Sequence, residues 1–199
     1  GEKIFTRKAM GLVNEIFGES QLKELRGHIA IGHTRYSYLN GGIHAWRDAG
    51  LEERTEPTAP TPSEYHAEIL NPSAAITCDE IKEKLSNKQF AIWDARSKAE
   101  YDGERGNNKH LGHIPGAVNM DWLDAMDRSR ALRIRDYAEL MTELNALGLT
   151  PDKEIATHCQ SHHRSSFTWL VGKALGFNIR GYAGSWGEWG NRDDTPIEK

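Results

Sequence analysis

Cysteine is scarce in this chain. Among 199 residues, only Cys78 and Cys159 carry a thiol, and two thiols are too few for a disulfide framework. The two cysteines also lack the spacing of a metal site. We therefore expect no metal site, and we expect a reducing compartment such as the cytoplasm, where a thiol stays free.

Excess charge of one sign and long apolar runs are missing as well. The 25 basic and 29 acidic residues give a net charge of −4, which does not suggest a nucleic-acid partner. No apolar run approaches the roughly 20 residues that a membrane helix needs. Lys3, Arg7 and Lys8 near the start are not followed by the apolar stretch of a secretory signal. These absences favour a cytoplasmic protein without a membrane or nucleic-acid partner.

What the chain does contain is a cysteine at the turn between a strand and a helix. Residues 154–157 form a short, partly β-branched run before Cys159. Apolar residues at helical spacing follow the cysteine: Phe167, Leu170, Val171, Ala174 and Leu175. A helix start and nearby cations lower a cysteine pKa from about 8.5 to roughly 3.5–7.5. The pattern predicts that Cys159 is a nucleophile; the alternative is a buried, inert thiol.

Four segments in order resemble the rhodanese family of sulfurtransferases. They are 92–97 (IWDARS), 112–117 (GHIPGA), 158–165 (HCQSHHRS) and 182–189 (YAGSWGEW). The segment 158–165, which contains Cys159, is similar to the active-site loop of tandem-domain rhodaneses of the Azotobacter type. The resemblance implies transfer of a sulfur atom through a Cys159 persulfide, from thiosulfate or mercaptopyruvate to cyanide or a thiol. Such a reaction needs neither a metal nor an organic cofactor.

Strands and helices are predicted to alternate through this part of the chain. The predicted elements are helix 78–86, strand 90–94, helix 98–101, strand 117–119, helix 137–147, strand 154–157, helix 165–176, strand 179–182 and a turn at 185–189. Such alternation predicts an α/β fold with a parallel sheet covered by helices on both faces. Right-handed crossovers would place the cysteine loop at the carboxyl ends of the strands.

The chain divides into four predicted segments. Residues 38–46 (YLNGGIHAW) resemble the closing segment of the first domain in tandem rhodaneses, so 38–50 is interpreted as a remnant of that domain. Residues 51–66 contain Pro57, Pro60 and Pro62 and are predicted to be an extended linker. Residues 67–199 are predicted to be the catalytic domain.

Residues 1–37 are predicted to form a short foreign α+β segment of a different kind. The run 27–37 (GHIAIGHTRYS) resembles an internal piece of the glutaminase domain of amidophosphoribosyltransferase. In that family, the arginine at the position of Arg35 helps hold the glutamine carboxylate, and the nucleophile is an N-terminal cysteine where Gly1 stands here. Glutamine hydrolysis is therefore not expected. The abrupt junction suggests a chimera or a fused gene fragment, and a homodimer in which two such segments cover each other is one arrangement it allows.

The resemblance also assigns roles around Cys159. The residues assigned to substrate binding are Gln160, Ser161, His162, His163, Arg164 and Ser165. The guanidinium of Arg164 suits sulfonate, carboxylate or phosphate oxygens; the alternative is that it bonds only loop carbonyls. The histidines either steer an anionic substrate or are solvated loop residues.

Asp94 and Arg96 are interpreted as orienting residues. Asp94 ends a strand next to the loop and is expected to fix Arg164 or a loop amide, while Arg96 is expected to be structural. The Trp186 and Trp189 pair is expected to cover an edge of the core.

Two positions depart from the family pattern of the mammalian enzymes. Glu100 stands where a second arginine is found in those enzymes, and Ser161 stands where their loop has a lysine. The site is therefore less cationic than one built for a dianion, and the sulfur donor stays open. Two other functions also stay open: a phosphatase, whose loop has one more residue between cysteine and arginine, and a module with little activity because the first domain is missing.

Overall fold

The computed structural model describes residues 37–56, 59, 64 and 68–199. All but the last residue of the amidophosphoribosyltransferase-like segment lies outside these residues, so the interpretation of 1–37 stays a prediction. The linker prolines Pro57, Pro60 and Pro62 also lie outside them. In the described part of the chain, residues 51–56 are exposed.

Strands and helices alternate from residue 75 onward. The helices are α1 (Gly42–Asp48), α2 (Cys78–Lys84), α3 (Lys98–Tyr101), α4 (Tyr137–Ala146), α5 (His163–Ala174) and α6 (Ser185–Trp189). The strands are β1 (Ala75–Ile76), β2 (Phe90–Asp94), β3 (Val118–Asn119), β4 (Met126–Asp127), β5 (Arg133–Ile134), β6 (Glu154–His158) and β7 (Asn178–Tyr182). None of the helices in these residues has the length and apolar character to cross a bilayer.

Five strands form one parallel sheet in the order β1-β7-β6-β2-β3. The central strands β2 and β6 pair in register from Phe90 opposite Glu154 to Asp94 opposite His158. Because successive side chains of a strand point to opposite faces, Trp93 and Ile155 join one core and Ile92 and Ala156 join the other. The predicted α/β fold with apolar cores on both faces of a parallel sheet is therefore confirmed.

Sequence prediction missed three elements. The strand β1 is only two residues long, and the β4–β5 hairpin is short and separate from the main sheet. Helix α1 begins at the second glycine of the pair Gly41–Gly42, in a stretch that the sequence analysis interprets only through its family resemblance. Helix α5 begins at His163 rather than Ser165. Periodic apolar patterns need several turns or residues to be recognised, so such short elements escape them.

Residues 38–41 pack against the α/β part of the chain. The side chain of Asn40 accepts a hydrogen bond from the Ile134 N–H at 2.7 Å, and the Tyr38 ring lies 6.4 Å from that of Phe167. Gly41 has φ 90°, and an added Cβ would lie 2.6 Å from the Ala131 carbonyl oxygen. Glycine is thus needed where this segment approaches the hairpin.

Helix α5, which carries the residues after Cys159, packs closely on β7. Gly172 makes this possible, because a Cβ there would lie 2.7 Å from Ile179 Cδ1 and 3.0 Å from its Cγ2. Ile179 is fully buried, so it has little room to move.

We expect Gly172→Ala to lower the free energy of unfolding by about 1–3 kcal/mol through overpacking, although alanine favours a helix by roughly 1 kcal/mol over glycine. Urea denaturation measures the change. Ile179→Val removes the Cδ1 atom, and alone it should cost about 0.5–1.5 kcal/mol. The double variant should lose less than the sum of the two single losses; strict additivity would contradict the proposed contact.

Candidate active site

Cys159 follows β6 directly at the carboxyl edge of the sheet. The loop from Cys159 to His162 connects β6 with α5, as predicted from the sequence. The cysteine is 1% exposed, so only a small group could reach its thiol without movement of the loop. Ser161 is exposed at the tip of the loop.

The start of α6 holds this loop from the side. The Cys159 carbonyl accepts a hydrogen bond from the Trp186 N–H at 2.9 Å, and the Gln160 carbonyl accepts one from Gly187 at 2.8 Å. The Cys159 N–H points to Ser185 Oγ at 3.4 Å. A Cβ on Gly187 would lie 2.8 Å from the Gln160 oxygen. The loop is therefore shaped by contacts with a distant segment as well as by its own sequence.

The first turn of α5 faces the same loop with its N–H groups. His163, Arg164 and Ser165 are the first three residues of this 12-residue helix, and such N–H groups have no carbonyl partner inside their own helix. The positive end of the helix dipole adds to their field. This arrangement favours an anion beside Cys159.

His162 is buried and not solvated. It takes up the left-handed conformation with φ 64° as the cap of α5, and its side chain is fully buried. Its Nδ1 lies 2.7 Å from Ser165 Oγ. The interpretation of His162 as a solvated loop residue is therefore wrong. His163, at the helix start, is half-buried.

Arg164 makes a two-pronged ion pair with Glu100. The two terminal nitrogens of the Arg164 guanidinium, Nη1 and Nη2, each donate a hydrogen bond to the Glu100 carboxylate at 2.8 Å. The expectation that Asp94 fixes Arg164 is wrong, and so is the alternative that Arg164 bonds only loop carbonyls. The hydrogen bond to Glu100 raises the pKa of Arg164 against the opposing effect of burial, and the neighbouring Cys159 raises it further. Arg164 thus links the thiol with a carboxylate.

Asp94 pairs instead with Arg96 below the loop. Arg96 donates to Asp94 Oδ2 at 2.6 Å and to the Gly112 carbonyl at 2.8 Å, and its guanidinium lies 4.4 Å from the Trp186 ring centroid. His158 Nε2 is 3.5 Å from Asp94 Oδ2. Burial lowers the pKa of His158, while the Asp94 charge opposes that shift. The orienting role of Asp94 and Arg96 stays a prediction.

Two contacts of the loop were not foreseen. Gln160 Nε2 donates to Asn108 Oδ1 at 2.9 Å, and Asn108 in turn donates to the Trp186 carbonyl at 3.2 Å. Ser185 lies opposite the Cys159 N–H. Ser185 belongs to the fourth segment that resembles the rhodanese family, so the resemblance could have indicated its contact with the loop. Nothing in the sequence around Asn108 indicated such a contact.

Comparison with known proteins agrees with this architecture. The model of the rhodanese-like domain family matches residues 77–192, more than half of the chain. The chain belongs to the rhodanese family. This rhodanese domain is 50% identical over 174 residues to a thiosulfate sulfurtransferase of Pseudomonas aeruginosa. It is 51% identical over 169 residues to one of Azotobacter vinelandii. Each match covers 84% of this chain but 61% of the relative.

More distant relatives share the fold. The sulfur carrier protein TtuD of Thermus thermophilus is 33% identical over 181 residues, with 84% of this chain and 63% of that protein covered. A solved structure of an EanB variant, in complex with ergothioneine covalently linked with a persulfide cysteine, superposes with a TM-score of 0.82 at 26% identity. That match covers 91% of this chain and 45% of the other. The chain thus spans less than two thirds of the length of each of these relatives.

The Arg164–Glu100 pair predicts a pH dependence of stability. Burial raises the pKa of Glu100, but hydrogen bonds from Arg164 and Ser97 outweigh it and lower the pKa from 4.5 to about 2. Since the folded-state pKa is the lower one, the pair stabilises the fold above about pH 4.5 and this contribution is lost as the pH falls towards 2.

We expect Glu100→Gln to lose this part of the pH dependence. Urea denaturation at about pH 6 and about pH 3 measures it. Glu104→Gln, which makes the same charge change at an exposed position, is the matched control and should behave like the unmodified protein. Equal pH dependence in both variants would argue against the ion pair.

Proposed function

We propose that this rhodanese domain is a sulfurtransferase that carries one sulfur atom on Cys159, from thiosulfate or mercaptopyruvate to cyanide or a thiol. The observation that carries the proposal is the position of Cys159, between the end of β6 and the first turn of α5, with Arg164 beside it. The N–H groups in the first turn of α5 can stabilise a negative charge at this position.

The first half-reaction is an attack on the donor sulfur. With thiosulfate, the Cys159 thiolate bonds to the outer sulfur, the S–S bond of the donor breaks, and its electron pair leaves with sulfite. With mercaptopyruvate, the C–S bond breaks instead, and the carbon takes a proton to give pyruvate. In both cases Cys159 becomes a persulfide.

The N–H groups at the start of α5 stabilise the charges of this step. The terminal sulfur of the persulfide carries the negative charge that Cys159 carried before, a short distance further into the loop. The amides of His163, Arg164 and Ser165 are fixed donors for it, because they belong to the helix and need no rearrangement. Gln160 and Ser161 form the rest of the loop that surrounds this sulfur.

The second half-reaction restores the thiolate. Cyanide or a thiolate acceptor attacks the terminal sulfur of the persulfide, and the S–S bond to Cys159 breaks with its electron pair on Cys159. The products are thiocyanate or an acceptor persulfide. We place this reaction in a reducing compartment such as the cytoplasm, where thiol acceptors are abundant and the two free cysteines stay reduced.

The names of the relatives support this function over the phosphatase alternative. Two relatives at about half identity are thiosulfate sulfurtransferases, and TtuD is a sulfur carrier protein. Within this chain, the arginine that would hold a phosphate already binds the Glu100 carboxylate, which repels a phosphate dianion.

Intact mass spectrometry after incubation with thiosulfate or mercaptopyruvate tests the proposal. We expect the mass of one added sulfur atom, removed again by cyanide with formation of thiocyanate. Cys159→Ser should abolish both signals because the hydroxyl is not ionised at neutral pH. Cys78→Ala is the matched control, since Cys78 is the other thiol and is buried at the start of α2; it should keep the activity. Sulfur uptake by the Cys159→Ser variant would refute the assignment.

A further inference from the structure

The imidazole ring of His158 is an ionisable group beside the nucleophile that the proposed reaction leaves without a role. His158 ends β6 directly before Cys159 and is fully buried. The register of the sheet places it opposite Asp94. On its other side, the Tyr182 ring of β7 lies edge-on at 6.4 Å between centroids. Burial raises the pKa of Tyr182, whose hydroxyl donates to Glu188 at 2.9 Å, so this neighbour brings no charge to the ring.

Both ring nitrogens of His158 face oxygen atoms that accept hydrogen bonds. Nδ1 lies 3.1 Å from the Cys159 carbonyl oxygen, and Nε2 lies 3.5 Å from Asp94 Oδ2, in a carboxylate that already accepts from Arg96 at both oxygens. No described residue gives Nε2 a hydrogen bond. A neutral ring carries a single N–H, so either tautomer turns a lone pair towards one of these oxygens. The doubly protonated ring alone presents a donor to each.

The contact of Nδ1 with the carbonyl also bears on the backbone of Cys159. The same carbonyl oxygen accepts a hydrogen bond from the Trp186 N–H at 2.9 Å. A carbonyl has two lone pairs, so a proton on His158 Nδ1 occupies the second one. The peptide that follows Cys159 is then held from two sides. His158 therefore acts on the nucleophile through its main chain.

The fixed charges around this histidine cancel one another when the thiol is neutral. Asp94 and Arg96 form one ion pair, and Arg164 and Glu100 form another. A negative charge on Cys159 leaves this arrangement one positive charge short. A buried charge without a partner is unfavourable. A proton on the imidazole restores the balance.

The surroundings of the ring keep it close to this change of state. Burial lowers the pKa of His158 most strongly. The Asp94 charge and the bond to the Cys159 carbonyl raise it, whereas the charges of Arg96 and Arg164 lower it. A negative charge on the adjacent cysteine attracts a proton to the ring, so the two groups titrate as a pair.

We propose that His158 is a positioning residue for Cys159, whose imidazole becomes doubly protonated when Cys159 carries a negative charge. The proton that leaves the thiol is matched by the proton that the ring gains, so the charge of the site is unchanged. After sulfur transfer, the persulfide anion has the charge of the thiolate, and the ring stays protonated. The inference rests on the proposed sulfur transfer and adds the group that balances its charge.

Nitrogen-15 NMR of the His158 ring measures its protonation directly. At neutral pH, we expect both ring nitrogens of the unmodified protein to show the chemical shifts of N–H groups. In Cys159→Ser, whose hydroxyl is not ionised, we expect one of them to show the shift of an unprotonated nitrogen. A neutral ring in the unmodified protein would overturn the inference, and so would a doubly protonated ring in both proteins.

The pH profile of Cys159 alkylation by iodoacetamide measures the effect on the nucleophile. His158→Asn keeps an N–H at the position of Nδ1 but cannot carry a charge. Opposite charges roughly 6 Å apart at an effective dielectric constant of about 40 shift an ionisation by about one pH unit. We therefore expect the half-maximal pH to rise by about one unit and the rate at neutral pH to fall about tenfold. A Cys78→Ala background leaves Cys159 as the sole thiol.

His44→Asn is the matched control, because it makes the same substitution at an exposed position of α1; its profile should stay unchanged. A folded His158→Asn variant with the profile of the control would contradict the inference. If that variant does not fold, the NMR comparison still decides, since it leaves His158 in place. Absence of an added sulfur on Cys159 with both donors would refute the proposed function, whereas the charge of the ring is measured without a donor.

Discussion

The parallel pairing of β2 with β6 determines the geometry of the candidate active site. This register places Asp94 beside His158, the residue before Cys159, at the edge where both strands end. Arg96, two residues further, folds back on Asp94 and on the Trp186 ring. Removing one partner of such a buried ion pair typically costs about 3–5 kcal/mol. A shift of one residue in the pairing would move Asp94 away from the loop and turn the other side chains of β2 to the opposite face.

Two ion pairs near the Cys159 thiol lie at different depths and have different surroundings. The deeper one, between Asp94 and Arg96, is almost completely buried and serves as a support under the loop. The outer one, between Arg164 and Glu100, is partly exposed and lies beside the cysteine loop. Burial explains the difference, because the deeper charges are shielded from water among protein partners, whereas the outer pair is still in contact with solvent.

The fold and the position of the Cys159 loop could be predicted from the sequence. The residues that contact this loop could not. The strand before Cys159 and the helix after it followed from apolar periodicity, and the α/β class followed from their alternation. The Arg164–Glu100 pair joins residues 64 positions apart, so no local pattern revealed it. The burial of His162 depends on its left-handed backbone conformation, which is uncommon outside glycine. The contact of Gln160 with Asn108 likewise depends on how a long connection packs.

Cys159 is covered almost completely, and this restricts the chemistry that its loop can perform. Only four residues separate Cys159 from Arg164, and α6 approaches the loop so closely that Gly187 has no room for a side chain. A tetrahedral phosphate group would need hydrogen-bond donors on several sides and space for all of its oxygen atoms. A terminal sulfur atom needs one position beside the thiolate and the amides at the start of α5 to receive its charge. The tight loop therefore suits the transfer of a single atom, with the bulk of the donor left outside.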